Sequence, residues 1–87
     1  MSVIVIATTP GMDAAAYEHT VGSSTGLPTG CTAHHAGPVE GGWRVVTVWD
    51  SADQARDFGR TVLAPALAAE GLTPAPPEIA ELHTSRV

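Results

Sequence analysis

Two stretches of this 87-residue chain are apolar at nearly consecutive positions, and they constrain the fold more than any other feature. Residues 3–7 (VIVIA) form a β-branched run, and residues 43–49 (WRVVTVW) carry the strongest strand signal in the chain. Strands whose two faces are both apolar belong in the centre of a sheet, where something must cover each face. The sequence therefore predicts that these two strands are central.

The residues between these strands predict a helix followed by a hairpin. An alanine run after Asp13 favours a first helix from residue 12 to about residue 21, with the acidic side chain in its first turn. Residues 31–37 have enough β character for a second strand. The turn-rich segment 37–42 (GPVEGG) then joins that strand to the strong strand that follows.

A second helix is predicted to begin after Ser51. The Ser51 hydroxyl can accept a hydrogen bond from the backbone N–H of Gln54, whose side chain can reach back, as in a capping box. Charged residues fall mostly on the other faces of this helix: Asp53, Arg56, Asp57 and Arg60. An apolar stripe recurs at helical spacing, formed by Ala55, Phe58 and Val62.

Residues that interrupt or end helices complete the predicted architecture. Pro65 should kink or restart the second helix, Gly71 should end it, and a last strand runs from residue 78 to about residue 84. The order β-α-β-β-α-β is that of an α+β, ferredoxin-like domain with a four-stranded antiparallel sheet. Right-handed crossovers place the first and third strands centrally, in agreement with their apolar pattern. We expect residues 1–87 to form this single domain.

Two helices can cover only one face of such a sheet, so the other face needs a partner. A chain this short has a thin core and needs additional stabilisation, and the lone Cys31 cannot form an internal disulfide. Self-association is the remaining source of stability. The sequence therefore predicts a homodimer in which a second sheet covers the open face.

Charge and hydropathy exclude several function classes. The chain has no Lys, four Arg and a net charge of −5, so it lacks the basic patch that nucleic acid binding needs. No apolar run approaches the roughly 20 residues that cross a bilayer. One free thiol, together with the lack of a secretory signal pattern, predicts a cytoplasmic location.

Several segments resemble one group of proteins over nearly the whole chain. They are residues 34–38 (HHAGP), 41–46 (GGWRVV) and 48–51 (VWDS), together with Tyr17 in the first helix. The chain is similar to the dimeric α/β-barrel superfamily, and more narrowly to small bacterial proteins of the antibiotic biosynthesis monooxygenase-like group. The resemblance implies a sheet-to-sheet dimer that forms an α/β barrel, with a pocket in each subunit between the sheet and its helices.

Proteins similar in fold include cofactor-free oxygenases of polyketide quinones, haem-degrading enzymes, isomerases and cyclases, so the resemblance carries no single activity. The quinone oxygenases use an asparagine to steady the oxygenated intermediate, whereas this chain contains no Asn. Cyclisation or isomerisation suits the available side chains better than monooxygenation.

His34 and Tyr17 are the candidate catalytic residues. His34 matches the position where similar small proteins carry a histidine, and a neutral imidazole can move a proton either way near pH 7. If the phenol of Tyr17 on the first helix faces the sheet, it could act as an acid beside His34. His35 must point to the opposite face, and the hairpin register decides which histidine meets the pocket. The alternative is that both candidates are structural.

Five further residues are candidates for substrate binding. Trp43 and Trp49 share one face of their strand and could form an aromatic wall, although a core or interface role is the simpler interpretation. Arg44 could hold a carboxylate or form an ion pair with a partner subunit. Phe58 and Val62, like Leu67, are most simply core residues, although some of them must line any cavity under the second helix. The cysteine and histidines show no metal-ligand spacing, so no metal is expected.

These observations lead to two hypotheses of different class. The first is a cofactor-independent enzyme of bacterial secondary metabolism that acts on a small, apolar, carbonyl-bearing or aromatic substrate through acid–base chemistry of His34 and Tyr17. The second is a non-catalytic ligand-binding or scaffold homodimer of the same fold. Haem binding is a third possibility, for which the sequence offers only the resemblance.

Overall fold

The structure is a computed structural model that describes residues 2–20 and 27–83. Helices and strands follow one another in the order that the sequence predicts. They are β1 (Val3–Pro10), α1 (Ala14–Thr20), β2 (Cys31–Val39), β3 (Gly42–Trp49), α2 (Ala52–Phe58), a π-helical segment (Gly59–Leu63), α3 (Ala64–Ala69) and β4 (Glu78–Glu81).

The four strands form one antiparallel sheet in the order β2-β3-β1-β4. The two strands that are apolar on both faces occupy the centre, so the predicted strand order is confirmed. The domain is of the α+β class, and its architecture is compatible with a ferredoxin-like fold.

Strand register divides the sheet into an inner and an outer face. Val5 pairs with Thr47 of β3 and with Ile79 of β4, and these side chains lie on the inner face. Ile6 pairs with Val46, and both lie on the outer face. The helices that the structure describes lie over the inner face, where the core forms from Val3, Val5, Cys31 and Trp49 with Phe58 packed against it.

An irregularity in β2 sets which histidine faces inward. Pairing with β3 shifts between Cys31 and Ala33, after which His34 pairs with Thr47 and His35 pairs with Val46. Thr47 is buried on the inner face. His34 therefore shares the inner face with the core, and the register that the sequence left open is resolved.

Both helical starts are capped by polar side chains. The Asp13 carboxylate accepts a hydrogen bond from the backbone N–H of Ala16 at 2.9 Å, so this residue caps α1. Ser51 has an extended backbone and its hydroxyl accepts from the backbone N–H of Gln54 at 3.2 Å. The Ser51 hydroxyl also donates to Gln54 Oε1 at 3.2 Å. The glutamine side chain therefore bonds to the Ser51 hydroxyl and not, as a capping box would require, to the Ser51 backbone N–H.

The composite helix, residues 52–69, continues through its proline by widening one turn. Pro65 has no N–H, and its ring would crowd the carbonyl four residues before it in a regular α-helix. The preceding segment is π-helical, and Ala64 N–H donates to Gly59 O, five residues back. Past Glu70, Gly71 adopts φ +73°, and Leu72 N–H donates to Leu67 O at 2.9 Å, which closes the helix as the sequence predicts.

Several predicted boundaries differ from the structure. β1 extends to Pro10 and β2 extends to Val39, because pairing with the long β3 continues to Gly42. α1 begins two residues later than expected, since Asp13 serves as its cap. The predicted ends of the first helix and of the last strand, near residues 21 and 84, lie outside the described residues.

Candidate functional site

A cavity of about 580 Å³ lies between the inner face of the sheet and the helices. Its size falls within the range of about 300–1,000 Å³ that small-molecule sites occupy. Apolar side chains from the sheet, the composite helix and the connector before β4 form most of its wall, including Val5, Val45, Leu63, Leu67 and Ile79. Such a cavity suits a small and largely apolar ligand.

Tyr17 and His34 meet at the wall of this cavity. Tyr17 Oη lies 2.6 Å from His34 Nε2, although the residues are 17 positions apart in sequence. In the tautomer that carries its proton on Nδ1, the phenol donates to Nε2; in the other tautomer, Nε2–H donates to the phenolic oxygen. In both arrangements the two side chains share one proton. The structure therefore brings together the two residues that the sequence singled out.

Burial sets the protonation of this pair. It lowers the pKa of His34 from the usual 6.5, and the neighbouring His35 adds to the effect. Burial also raises the pKa of Tyr17 above the usual 10.0, with a smaller contribution from Glu18. A neutral imidazole beside a protonated phenol is the expected state near neutral pH. Such a pair can accept one proton and donate another.

Trp43 supports the pair and is not itself part of the cavity wall. Its ring stacks on Tyr17, with centroids 5.4 Å apart and an interplanar angle of 29°. Its Nε1 is buried and has no hydrogen-bond partner among the described residues. The stack restricts the orientation of the Tyr17 ring, so Trp43 acts through Tyr17.

Trp49 and Phe58 form an aromatic wall. Their ring centroids are 5.4 Å apart and the rings are tilted by 40°. Trp49 Nε1 donates to the hydroxyl of Thr47 at 2.8 Å, which satisfies the indole without a ligand. Both rings line the cavity, and both also belong to the core, the simpler of the two roles that the sequence left open. They present a surface suited to a planar or aromatic molecule.

Two further candidates for substrate binding, Arg44 and Val62, lie away from the cavity wall, as Trp43 does. Arg44 is on the outer face, where its Nε donates to the Thr8 hydroxyl at 3.1 Å. His35 is exposed on that same face. Val62 is 55% exposed, because the π-helical turn holds an extra residue and rotates the following positions around the helix axis. Leu63 takes the inward position expected for Val62.

The cavity also includes residues that the sequence reasoning assigned elsewhere. Arg56 and Arg60 were expected on outward faces, yet both line the cavity. A four-residue spacing is the signal for them, since Arg56, Arg60 and Ala64 form one row that lines the cavity, next to the row of Ala55, Gly59, Leu63 and Leu67. Cys31 is buried at the wall, and burial raises the pKa of its thiol against the lowering effect of hydrogen bonds with the Ala33 and Val48 backbone.

Among the described residues, no group of three or more His, Cys, Asp or Glu side chains could hold a metal ion. None of the described helices is both long enough and apolar enough to span a membrane. Comparison of the chain with protein-family models, with curated proteins and with solved structures finds no match.

Proposed function

We propose that this chain is a cofactor-independent enzyme that moves a proton on a small, largely apolar substrate bearing a carbonyl group or an aromatic ring. The observation that carries this proposal is the 2.6 Å contact between Tyr17 Oη and His34 Nε2 at the wall of an apolar cavity. Polar groups that are few, mutually hydrogen-bonded and surrounded by apolar surface are typical of small-molecule sites.

The pair supports a relay in which no cofactor takes part. A C–H next to a carbonyl loses its proton to Tyr17 Oη, while the phenolic proton passes to His34 Nε2. The substrate becomes an enolate and the imidazole becomes an imidazolium, so charge is conserved. Return of the proton to a different carbon, or attack by the enolate on a second carbonyl, completes an isomerisation or a cyclisation.

Burial sets the starting state for this chemistry. A lowered pKa keeps His34 neutral and able to accept a proton, and a raised pKa keeps Tyr17 protonated. Where the apolar wall and a bound substrate exclude water, the attraction between the enolate and the imidazolium is stronger than in bulk solvent. We propose this proton transfer in place of monooxygenation, because the chain has no Asn for the role seen in the quinone oxygenases that it resembles.

We also propose that the protein is a cytoplasmic homodimer of the dimeric α/β-barrel type, related to the antibiotic biosynthesis monooxygenase-like group. The outer face of the sheet carries a row of half-buried aliphatic side chains, Ile4, Ile6, Val46 and Val48. A partner sheet that buries a few hundred Å² of this surface would contribute several kcal/mol at about 25 cal/mol per Å². That contribution is comparable with the whole stability of a small domain.

A non-catalytic binding protein is the second candidate. In the resting arrangement His34 Nε2 is already engaged by Tyr17, and Trp49 Nε1 is engaged by Thr47. A cavity whose polar groups satisfy one another can store or carry an apolar molecule without reacting with it. The same cavity and the same dimer would serve this function.

Deuterium exchange into simple carbonyl compounds tests the two candidates. The protein in D₂O is incubated with a panel of aryl ketones and 1,3-dicarbonyl compounds, and mass spectrometry follows exchange at the carbon next to the carbonyl. We expect acceleration by the wild-type protein, and a loss of about 10²-fold or more in Tyr17→Phe and His34→Gln. His83→Gln, at an exposed position outside the cavity wall, is the matched control and should keep the activity.

Binding measurements separate the outcomes. Trp49 lines the cavity, so its fluorescence should report occupancy by each compound. Binding without accelerated exchange would favour the non-catalytic protein. Exchange that survives both Tyr17→Phe and His34→Gln would contradict the proposed roles of these residues.

A further inference from the structure

The charges around the cavity are distributed unlike those of the chain as a whole. The protein carries nine acidic residues and four arginines, with a net charge of −5. All nine acidic residues lie within the described ranges, all are exposed, and none lines the cavity. The charged side chains that do line it are Arg56 and Arg60. The charged groups in the wall are thus two arginines, each beside an aspartate that lies outside the wall.

Both arginines lie at the mouth of the cavity. Their side chains line the cavity and are 62% and 77% exposed, so both guanidinium groups are accessible to solvent. They are four residues apart and therefore leave the helix on the same side. Two like charges at this spacing repel each other mildly, and an anion between them would remove that repulsion.

The neighbouring acidic residues leave donors free for a ligand. Arg60 Nη2 donates to Asp57 Oδ1 at 2.7 Å, which engages one of its five N–H groups. Arg56 Nη1 lies 3.8 Å from Asp53 Oδ1, beyond hydrogen-bond distance. The Arg56 guanidinium is therefore held near an opposite charge without being fully engaged. A planar carboxylate is the group that such a fork binds best.

The surface below the arginines is aromatic. Phe58 lies between them in sequence and packs against Trp49 at the cavity wall. A ligand that bound both features would have a carboxylate at one end and a flat apolar body at the other. The remaining wall contributes apolar side chains and the Tyr17–His34 pair.

We infer that the substrate or ligand is an apolar carboxylic acid, most favourably an aromatic one, whose carboxylate is held at the mouth by Arg56 and Arg60. This inference rests on the proposed function for the identity of the site, and it adds the chemical class of the molecule that the site accepts. The arginines fix one end of the molecule, so its apolar body lies within the cavity that contains Tyr17 and His34.

A pair of matched probes tests this inference. The full-length protein is titrated by calorimetry with 2-naphthylacetic acid and with the neutral 2-naphthylacetamide, at low ionic strength and pH 7.5. We expect the acid to bind about tenfold or more tightly than the amide, since charge-assisted hydrogen bonds exceed neutral ones. The double variant R56Q/R60Q should lose this preference and keep its affinity for the amide.

The control variant is Arg44→Gln, which removes the same charge from the opposite face of the sheet and should leave the preference unchanged. Equal binding of acid and amide by the wild-type protein would overturn the inference. So would a preference that survives R56Q/R60Q, or the failure of both probes to bind.

The outcome is independent of catalysis. A charge preference that depends on the arginines, combined with no exchange of any carbonyl probe, would support the carboxylate site and contradict the proposed reaction. Exchange that depends on His34, combined with equal binding of acid and amide, would support the proposed reaction and contradict the carboxylate site.

Discussion

The hydroxyl of Tyr17 on α1 lies 2.6 Å from Nε2 of His34 on the edge strand β2, so one short hydrogen bond joins the first helix to the sheet. The bond depends on the β2 irregularity that turns His34 inward and on the stacking of Trp43 against Tyr17. The proposed catalytic role and the structural role therefore depend on the same contact, and the titration of His34 can separate them.

The first prediction concerns the direction of proton sharing in this pair. We expect the NMR titration midpoint of His34 to lie below 6.5 in the wild-type protein, because burial lowers its pKa. A phenol that donates to Nε2 also favours the neutral ring, so Tyr17→Phe should move the midpoint upward. Histidine ring resonances measure both values, and amide spectra check that the fold is retained. A downward shift would show that Nε2–H is the donor.

The second prediction concerns stability against pH. The pKa of His34 is lower in the folded state than its usual 6.5, so the unfolded state binds more protons below that value. The contribution of neutral His34 to stability should be complete above pH 6.5 and should decline as the pH falls through the folded pKa. Urea unfolding of the wild-type protein and of His34→Gln between pH 7.5 and 5 measures this.

The difference in unfolding free energy between these two proteins should shrink with decreasing pH. His83→Gln is the matched control for the loss of an imidazole, since His83 is exposed and does not contribute to the lowered pKa of His34. A difference that stays constant across this range would contradict the burial of a neutral His34.

The third prediction concerns the proposed dimer. Val46 lies at the centre of the outer face, where it pairs with Ile6 and His35. An arginine there would place an unpaired charge in the sheet-to-sheet contact, so Val46→Arg should convert the dimer to a monomer at micromolar concentration. Light scattering coupled to gel filtration measures the mass. Val62→Arg makes the same replacement at a position that is 55% exposed, and it should remain dimeric.

A wild-type protein of single-chain mass would contradict the dimer directly. Equal masses for the wild-type protein and Val46→Arg would show that another surface holds the subunits together. Circular dichroism on each variant distinguishes dissociation from unfolding.

The architecture could be predicted because its signals are local. Apolar runs identify central strands, Ser51 and Gln54 identify a helix start, and Gly71 identifies a helix end, and each depends on residues close in sequence. Right-handed crossovers then determine the strand order. The structure agrees with all of these.

The site could be predicted only in part, because its geometry depends on two irregularities. The shift in β2 pairing selects His34 over His35, and an alternating pattern cannot reveal where such a shift occurs. The π-helical turn before Pro65 moves Leu63 inward and Val62 outward. Regular α-helical spacing therefore no longer predicts which residues face the sheet once the chain enters that turn. The sequence pattern does not indicate the arginines at the cavity mouth, because charged residues on a helix usually face solvent.

The fourth prediction concerns Leu67, which is 1% exposed at the start of the last helical turn. Its side chain closes the cavity from the helix side, and its carbonyl accepts the hydrogen bond from Leu72 that ends the helix. Truncation leaves a void that the rigid composite helix cannot fill. Leu67→Ala should therefore lower the unfolding free energy by about 2–5 kcal/mol, a large part of the total for so small a domain.

Leu27 provides the matched control, because it also lines the cavity but is 50% exposed. Leu27→Ala loses little buried surface and should cost about 1 kcal/mol or less. Urea denaturation of both variants gives the comparison. The two are measured at the same protein concentration, because the unfolding of a dimer depends on concentration. Similar losses in the two variants would mean that Leu67 does not close the cavity, because only a side chain enclosed on all sides leaves a void when it is removed.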